Sequence, residues 1–256
     1  MTLVRPGLAR AVALLSIGLL AAGCTVVVGG KAQPVPDLTP RPLTGQTIKQ
    51  VLLGDSTLSR ILKQPLTIDP RFPPRFGGPE TLLNDGSASP VDCLGVAVML
   101  QRSVYQSSNV KYLAVETWRH VAKSGRVTSV KEAVVSLPMA ADANALFARF
   151  AQRWQRCDGK TLPLPDSVLR LKAKITNVQV ATSALAATVL MELTSLGSDS
   201  ASIPAGRAIG VRGNCLVEVE VDFFNTSSPS HLGSVDINTS AVDIAYAMMD
   251  QVSALS

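Results

Sequence analysis

The stretch NCLVEVEVDFF, residues 214–224, constrains the fold more than any other part of the chain. Val217, Val219, Val221 and Phe223 fall at alternate positions, and Glu218, Glu220 and Asp222 fill the places between them. A strict period of two puts the apolar side chains on one face of a strand and the acids on the other. Such a strand needs hydrogen-bonding neighbours on both edges and a layer covering its apolar face. The acidic face reads as a solvated sheet surface, or as a site for a cation or a basic partner.

Other segments supply the neighbours. VKYLAVETWRHVAK (110–123) alternates, with Tyr112, Ala114, Glu116, Trp118 and His120 on one face and Leu113, Val115, Thr117 and Arg119 on the other. Ser124-Gly125 turns the chain into RVTSVKEAVVSL (126–137), its hairpin partner. ITNVQVAT, ALAATVLMELTS and AIGVRG, between residues 175 and 213, add three further strands. Helices are predicted where the period changes to 3.6. One starts at Asp55 or Ser56, packs through Leu58, Ile61 and Leu62, and stops before Pro65. A second covers CLGVAVMLQRSVY (93–105), packed through Leu94, Val98 and Leu100 or Gln101. A third carries Leu146, Phe147, Phe150 and Trp154 in one stripe. A fourth closes the chain with Val242, Ala245, Met249 and Val252 inward. Residues 69–90 are loop-rich, with five prolines and a Gly-Gly pair, and a loop of that length in a folded domain is commonly functional or mobile. Helices and strand hairpins in this order, without regular βαβ alternation, indicate an α+β fold with a mainly antiparallel sheet flanked by helices.

The N-terminus locates the protein. Arg5 and Arg10 precede an uncharged apolar run from Ala11 to Ala22, the pattern of an export signal over residues 1–23. The run is shorter than the roughly 20 apolar residues that span a bilayer. Leu19-Leu20-Ala21-Ala22-Gly23-Cys24 resembles the bacterial lipobox, which implies diacylglycerol on the Cys24 sulfur and cleavage before it. Two acyl chains anchor stably where one is marginal. Residues 24–47, rich in proline, then read as a tether, and residues 48–256 as the folded domain. Without residues 1–23 the chain keeps 22 basic and 19 acidic side chains, a balance of +3. There is no long basic run, and Arg149, Arg153 and Arg156 line a solvated helix face, so nucleic-acid binding has no support.

Catalytic patterns are missing too. Neither His120 nor His231 sits by a nucleophile elbow, ligands are too scattered for a zinc site, and Gly77-Gly78 lacks the setting of a phosphate loop. No enzyme activity and no cofactor is expected. The best polar constellation is Glu116, Trp118 and His120 on one strand face. They could floor a cleft, Trp118 stacking on a ligand ring; alternatively the face is solvated and Trp118 packs beneath a helix.

SPVDCLG, a hairpin bearing a tryptophan, AQRWQRCDGKTL and a late cysteine before a strand and terminal helix together resemble the PknH-like extracellular sensor domain. The most specific piece is W-x-x-C-x-G at Trp154, Cys157 and Gly159, with Cys93 upstream, and the resemblance covers roughly residues 48–254. That family occurs in actinobacteria, chiefly mycobacteria, fused to membrane kinases or as free-standing lipoproteins. The resemblance implies a sheet with flanking helices around a cleft, and a disulfide between Cys93 and Cys157. It also implies a second bridge that this chain cannot make, because no cysteine follows Cys215. Cys215 is then a buried inert thiol, or a reactive or intermolecular one. The expected function is a lipid-anchored lipoprotein on the extracytoplasmic face of the cell membrane that binds or senses a small ligand or an envelope protein; a lipid or glycolipid carrier is the alternative.

Overall fold

A computed structural model describes residues 40–84, 91–121, 125–164, 170–194, 201–224 and 236–256. Cys24, the signal and most of the tether lie outside the described residues, as do His231 and Ser124 of the hairpin turn. The acid-bearing strand is β9 (Cys215–Phe223), and it lies between β4 (Val127–Ser136) and β8 (Ala201–Arg212). Outward from β4 come β3 (Tyr112–His120) and β1 (Leu66–Ile68). Outward from β8 come β7 (Ala184–Thr194), β6 (Arg170–Val180) and β5 (Thr161–Pro163). The short β2 (Arg75–Gly77) pairs with residues 113–115 of β3, while β1 pairs with residues 118–120. Every strand pair is antiparallel, so the sheet is the expected α+β one. Pro204 is tolerated in β8 because the ladder to β9 begins only at Ala205.

Helices cover both faces of the sheet. On one face lie α2 (Leu94–Ala97), α3 (Arg102–Tyr105) and the long α4 (Ala140–Cys157), packed on Leu113, Val115, Ala133, Val135, Ile209 and Leu216. On the other lie α1 (Asp55–Leu62) and α5 (Ser240–Leu255), packed on Ala114, Val130, Val134, Val217, Val219 and Val221. α5 approaches β8 closely, since a Cβ on Gly210 would stand 2.7 Å from Met249 Sδ. The packed domain begins at Leu43, upstream of Ile48, because Asn214 holds Leu43 through both backbone groups. Asn214, 3% exposed, sits in the β8–β9 turn beside Gly213, whose φ of +53° is left-handed.

The predicted helix over 93–105 is corrected. Val98 is extended and Leu100 adopts φ +57°, so α2 and α3 are separate short pieces. The cause is tertiary: Leu83 N–H donates to the Leu100 carbonyl and Arg102 N–H to the Leu83 carbonyl, wedging the proline-rich segment into this chain. A left-handed leucine costs about 1–2 kcal/mol, which the 1% exposed side chain offsets by burial.

Candidate functional site

The acidic side of β9 faces α4 and is not solvated, a second correction. Glu218 is 2% and Glu220 6% exposed, and Arg207 from β8 lies between them at 1%. Arg207 Nη2 stands 3.2 Å from Glu218 Oε2, and Nε is 3.8 Å from Glu220 Oε2. The guanidinium also donates to the carbonyls of Gly95, Val96 and Val219. Tyr105 donates its hydroxyl to Glu218, and Lys131 Nζ lies 3.2 Å from Glu220 Oε1. The row runs from the helical layer toward one end of the sheet: Tyr105, Glu218, Arg207, Glu220, Lys131. Burial pushes up the Tyr105 hydroxyl, aided by Glu218. Burial would also raise Glu220, but Lys131 and Arg207 outweigh it and hold that carboxyl low. The same attraction raises Lys131.

Asp222 ends the row. Burial, then the charge of Glu220, pushes its carboxyl up to about 6, against the Ser129 hydroxyl that donates to Oδ2 at 2.6 Å. Beside it opens a cleft of about 450 Å³, within the range of roughly 300–1,000 Å³ of small-molecule sites. Thr117, Ser129, Lys131 and Asp222 form its sheet side, and Asp69, Arg71, Phe72, Pro73, Arg75 and Leu83 its wall. The wall is therefore the proline-rich segment that the sequence marks as a functional or mobile loop. Asp69 is 1% exposed and its N–H donates to the Thr117 carbonyl, which pins the segment to β3. The Arg71 side chain grips the Asp69 carboxylate through Nε and Nη2 and holds it at about 2. Arg75 donates Nη1–H to the Thr81 carbonyl at 3.2 Å.

Glu116, Trp118 and His120 lie on the opposite face of β3, which is turned away from this cleft. Trp118 is 6% exposed in the core shared with α1 and α5, and its indole N–H donates to Glu132 Oε1 at 3.0 Å. Glu116 is half-buried beside a cavity of about 120 Å³ shared with Lys49 and Phe76, and burial raises its carboxyl. His120 is edge-on to Phe224, with ring centres 5.0 Å apart. Sequence reading missed Thr117, Ser129, Lys131 and Arg207. The one local signal was Arg207, a charge that the strand period places in line with Ile209 and Val211.

The cysteines resolve as follows. Cys93, at the start of α2, is bonded to Cys157, at the end of α4, with Cα atoms 5.5 Å apart. Closing 64 residues is worth about 4 kcal/mol on the chain-entropy model. Gly159 then turns the chain at φ +74°, and Trp154 is 1% exposed in the core. Each residue of W-x-x-C-x-G thus has a physical task. Cys215 is free and buried, and burial pushes its thiol up to about 12.

The family model described as PknH-like extracellular domain matches residues 43–251. The chain belongs to that family. Its fold is similar to the crystal structure of the extracellular domain of PknH from Mycobacterium tuberculosis, with a TM-score of 0.66 and 19% identity over 84% of this chain and 99% of that one. At that identity the PknH likeness speaks to the fold. No curated protein matches the chain. Among the described residues no helix is long and apolar enough to cross a membrane.

Proposed function

We propose that this PknH-like domain is an extracytoplasmic ligand-binding module, tethered to the cell membrane by diacylglycerol on Cys24 and working without nucleic acid or cofactor. The observation that carries the reading is the cleft beside Asp222, where a wall borrowed from the proline-rich segment meets a polar sheet floor. Arg71 at 73% exposed and Phe72 at 56% are held in place over open space. Preorganised polar groups in a concave site are what small-ligand recognition requires.

A thermal-shift and native mass spectrometry screen of envelope glycans, lipids, metabolites and peptides tests the reading. Ligands that raise the melting temperature of the wild-type protein, with the gain lost in Asp222→Asn and Ser129→Ala, are expected. Silence from every class would point instead to an envelope protein as partner. Cys24→Ala is expected to move the protein from the detergent phase to the aqueous phase and to abolish acyl labelling. The lipid-carrier alternative fits the cleft less well, because an acyl chain laid on Lys131 and Asp222 would strip water from charged groups at a cost of several kcal/mol.

A further inference from the structure

We infer that the cleft takes an anionic saccharide, a hydroxylated ring or short chain of rings bearing a carboxylate or phosphate. The inference rests on the ligand-binding reading above and narrows it to one chemical class. Three parts of the cleft carry it.

The floor sets hydrogen-bond donors beside acceptors. Lys131 donates one N–H to Glu220 and has two more, Thr117 carries a hydroxyl, and Asp222 uses Oδ2 to accept from Ser129. Register places them together, since Thr117 faces Lys131, which faces Glu220, while Ser129 faces Asp222. Neighbouring sugar hydroxyls each donate and accept, so an ammonium, hydroxyls and a carboxylate side by side satisfy them. An aliphatic ligand would leave the two remaining Lys131 N–H groups without partners.

The wall supplies the positive charge. Asp69 neutralises Arg71 and Glu220 neutralises Lys131. Arg75 is held only through the neutral Thr81 carbonyl, and among the described residues it makes no ion pair. Its remaining guanidinium N–H groups form a fork that suits a carboxylate or phosphate. Arg75 stands on β2, and β3 and β4 separate β2 from Asp222 on β9. Register sets Arg75 in line with Val115, Ala133 and Glu218, so Asp222 lies three strand spacings across and four residues along, about 20 Å away in backbone terms. At physiological salt that exceeds the Debye length of about 8 Å, so Asp222 does not cancel the attraction of Arg75 for an anion. The same span suits a ligand longer than one ring.

The third part is Phe72, 56% exposed with Pro73 beside it in the cleft wall. An exposed aromatic ring is the surface on which the C–H face of a sugar packs, excluding water from the hydroxyl contacts below.

Titration calorimetry of the full-length chain in detergent, with trigalacturonate, glucose phosphate, maltotriose and laurate as probes, tests the inference. Trigalacturonate or glucose phosphate is expected to bind at least tenfold more tightly than maltotriose and to weaken as salt rises; which of the two binds better identifies carboxylate or phosphate as the anionic group. Arg75→Gln is expected to weaken the acidic probe about tenfold and leave maltotriose unchanged. Phe72→Ala, an exposed change that leaves folding intact, weakens both. Equal binding of maltotriose and the acidic sugars, still sensitive to Asp222→Asn, overturns the anionic class and leaves the ligand-binding reading standing. Laurate alone binding, or no probe binding, overturns the saccharide inference, and the ligand-binding reading then falls only if its broader screen is also silent.

Discussion

The two faces of strand β9 lie under equally thick cover and are stabilised by different physics. Toward α5, Val217, Val219 and Val221 are fully buried against Ala245, Met248 and Met249, and the interaction is dispersion and water exclusion. Toward α4, Glu218 and Glu220 are almost as deeply buried, and the interaction is a row of ion pairs closed by Arg207, Lys131 and Tyr105. The apolar face tolerates repacking in small steps. The charged face is less forgiving, because removing Arg207 leaves Glu218 buried without an ion-pair partner and removing Glu220 leaves Lys131 without its own. The covers differ as well: α2 and α4 over the charged face are stapled by Cys93–Cys157, whereas α5 is held by packing.

The largest effect is expected from breaking the charged face at its centre. Arg207→Ala leaves Glu218 buried with the Tyr105 hydroxyl alone, while Glu220 keeps Lys131, and is expected to lower stability by about 3–5 kcal/mol, read from urea denaturation. Next comes the staple. Cys93→Ser with Cys157→Ser is expected to cost about 4 kcal/mol, and the same loss should follow addition of reductant to the wild-type protein. On the apolar face, Met248→Ala, at 0% exposure, is expected to cost about 2–4 kcal/mol with the cleft unaffected.

A smaller effect depends on pH. Glu132 is a buried acid on the α5 face, opposite Glu116 in the β3–β4 ladder, and it accepts the Leu53 N–H and the Trp118 indole N–H. Burial outweighs both hydrogen bonds and pushes its carboxyl from 4.5 up to about 8. The folded state therefore holds this proton more tightly than the unfolded chain. The Glu132 contribution to stability is full below pH 4.5 and declines as pH rises toward 8. Glu132→Gln keeps an acceptor without the charge, so it should be near neutral at pH 5 and increasingly stabilising as pH rises to 8.5. Thermal melts across that range check the slope. The smallest effect is Phe72→Ala, expected to change stability by less than about 0.5 kcal/mol, because this exposed ring takes no part in either core.

Much of the architecture was legible. Alternation located β3, β4 and β9, and the stripe through Leu146, Phe147, Phe150 and Trp154 located α4, because these periodicities are local and each segment buries a continuous face. The break at Leu100 was not legible, since a distant segment at Leu83 takes the backbone bonds a helix would have made. The cleft was legible by half. Residues 69–90 stood out by composition, but the choice of β3 face did not. Tyr112 to His120 alternates without saying which side is capped. Glu116, Trp118 and His120 drew notice by chemical type, yet Trp118 went to the α5-side core and Thr117 to the cleft.

The sequence by itself determined that β9 is a strand with two unlike faces and that an antiparallel sheet surrounds it. Those properties follow from period, charge and spacing within short windows. Only the tertiary structure decided that the acidic face is buried. Arg207 and Lys131 arrive from strands on either side of β9, and register alone sets them against Glu218 and Glu220. A carboxylate's partner is fixed by which strand lies next to it, and strand order is a long-range property that no local pattern encodes.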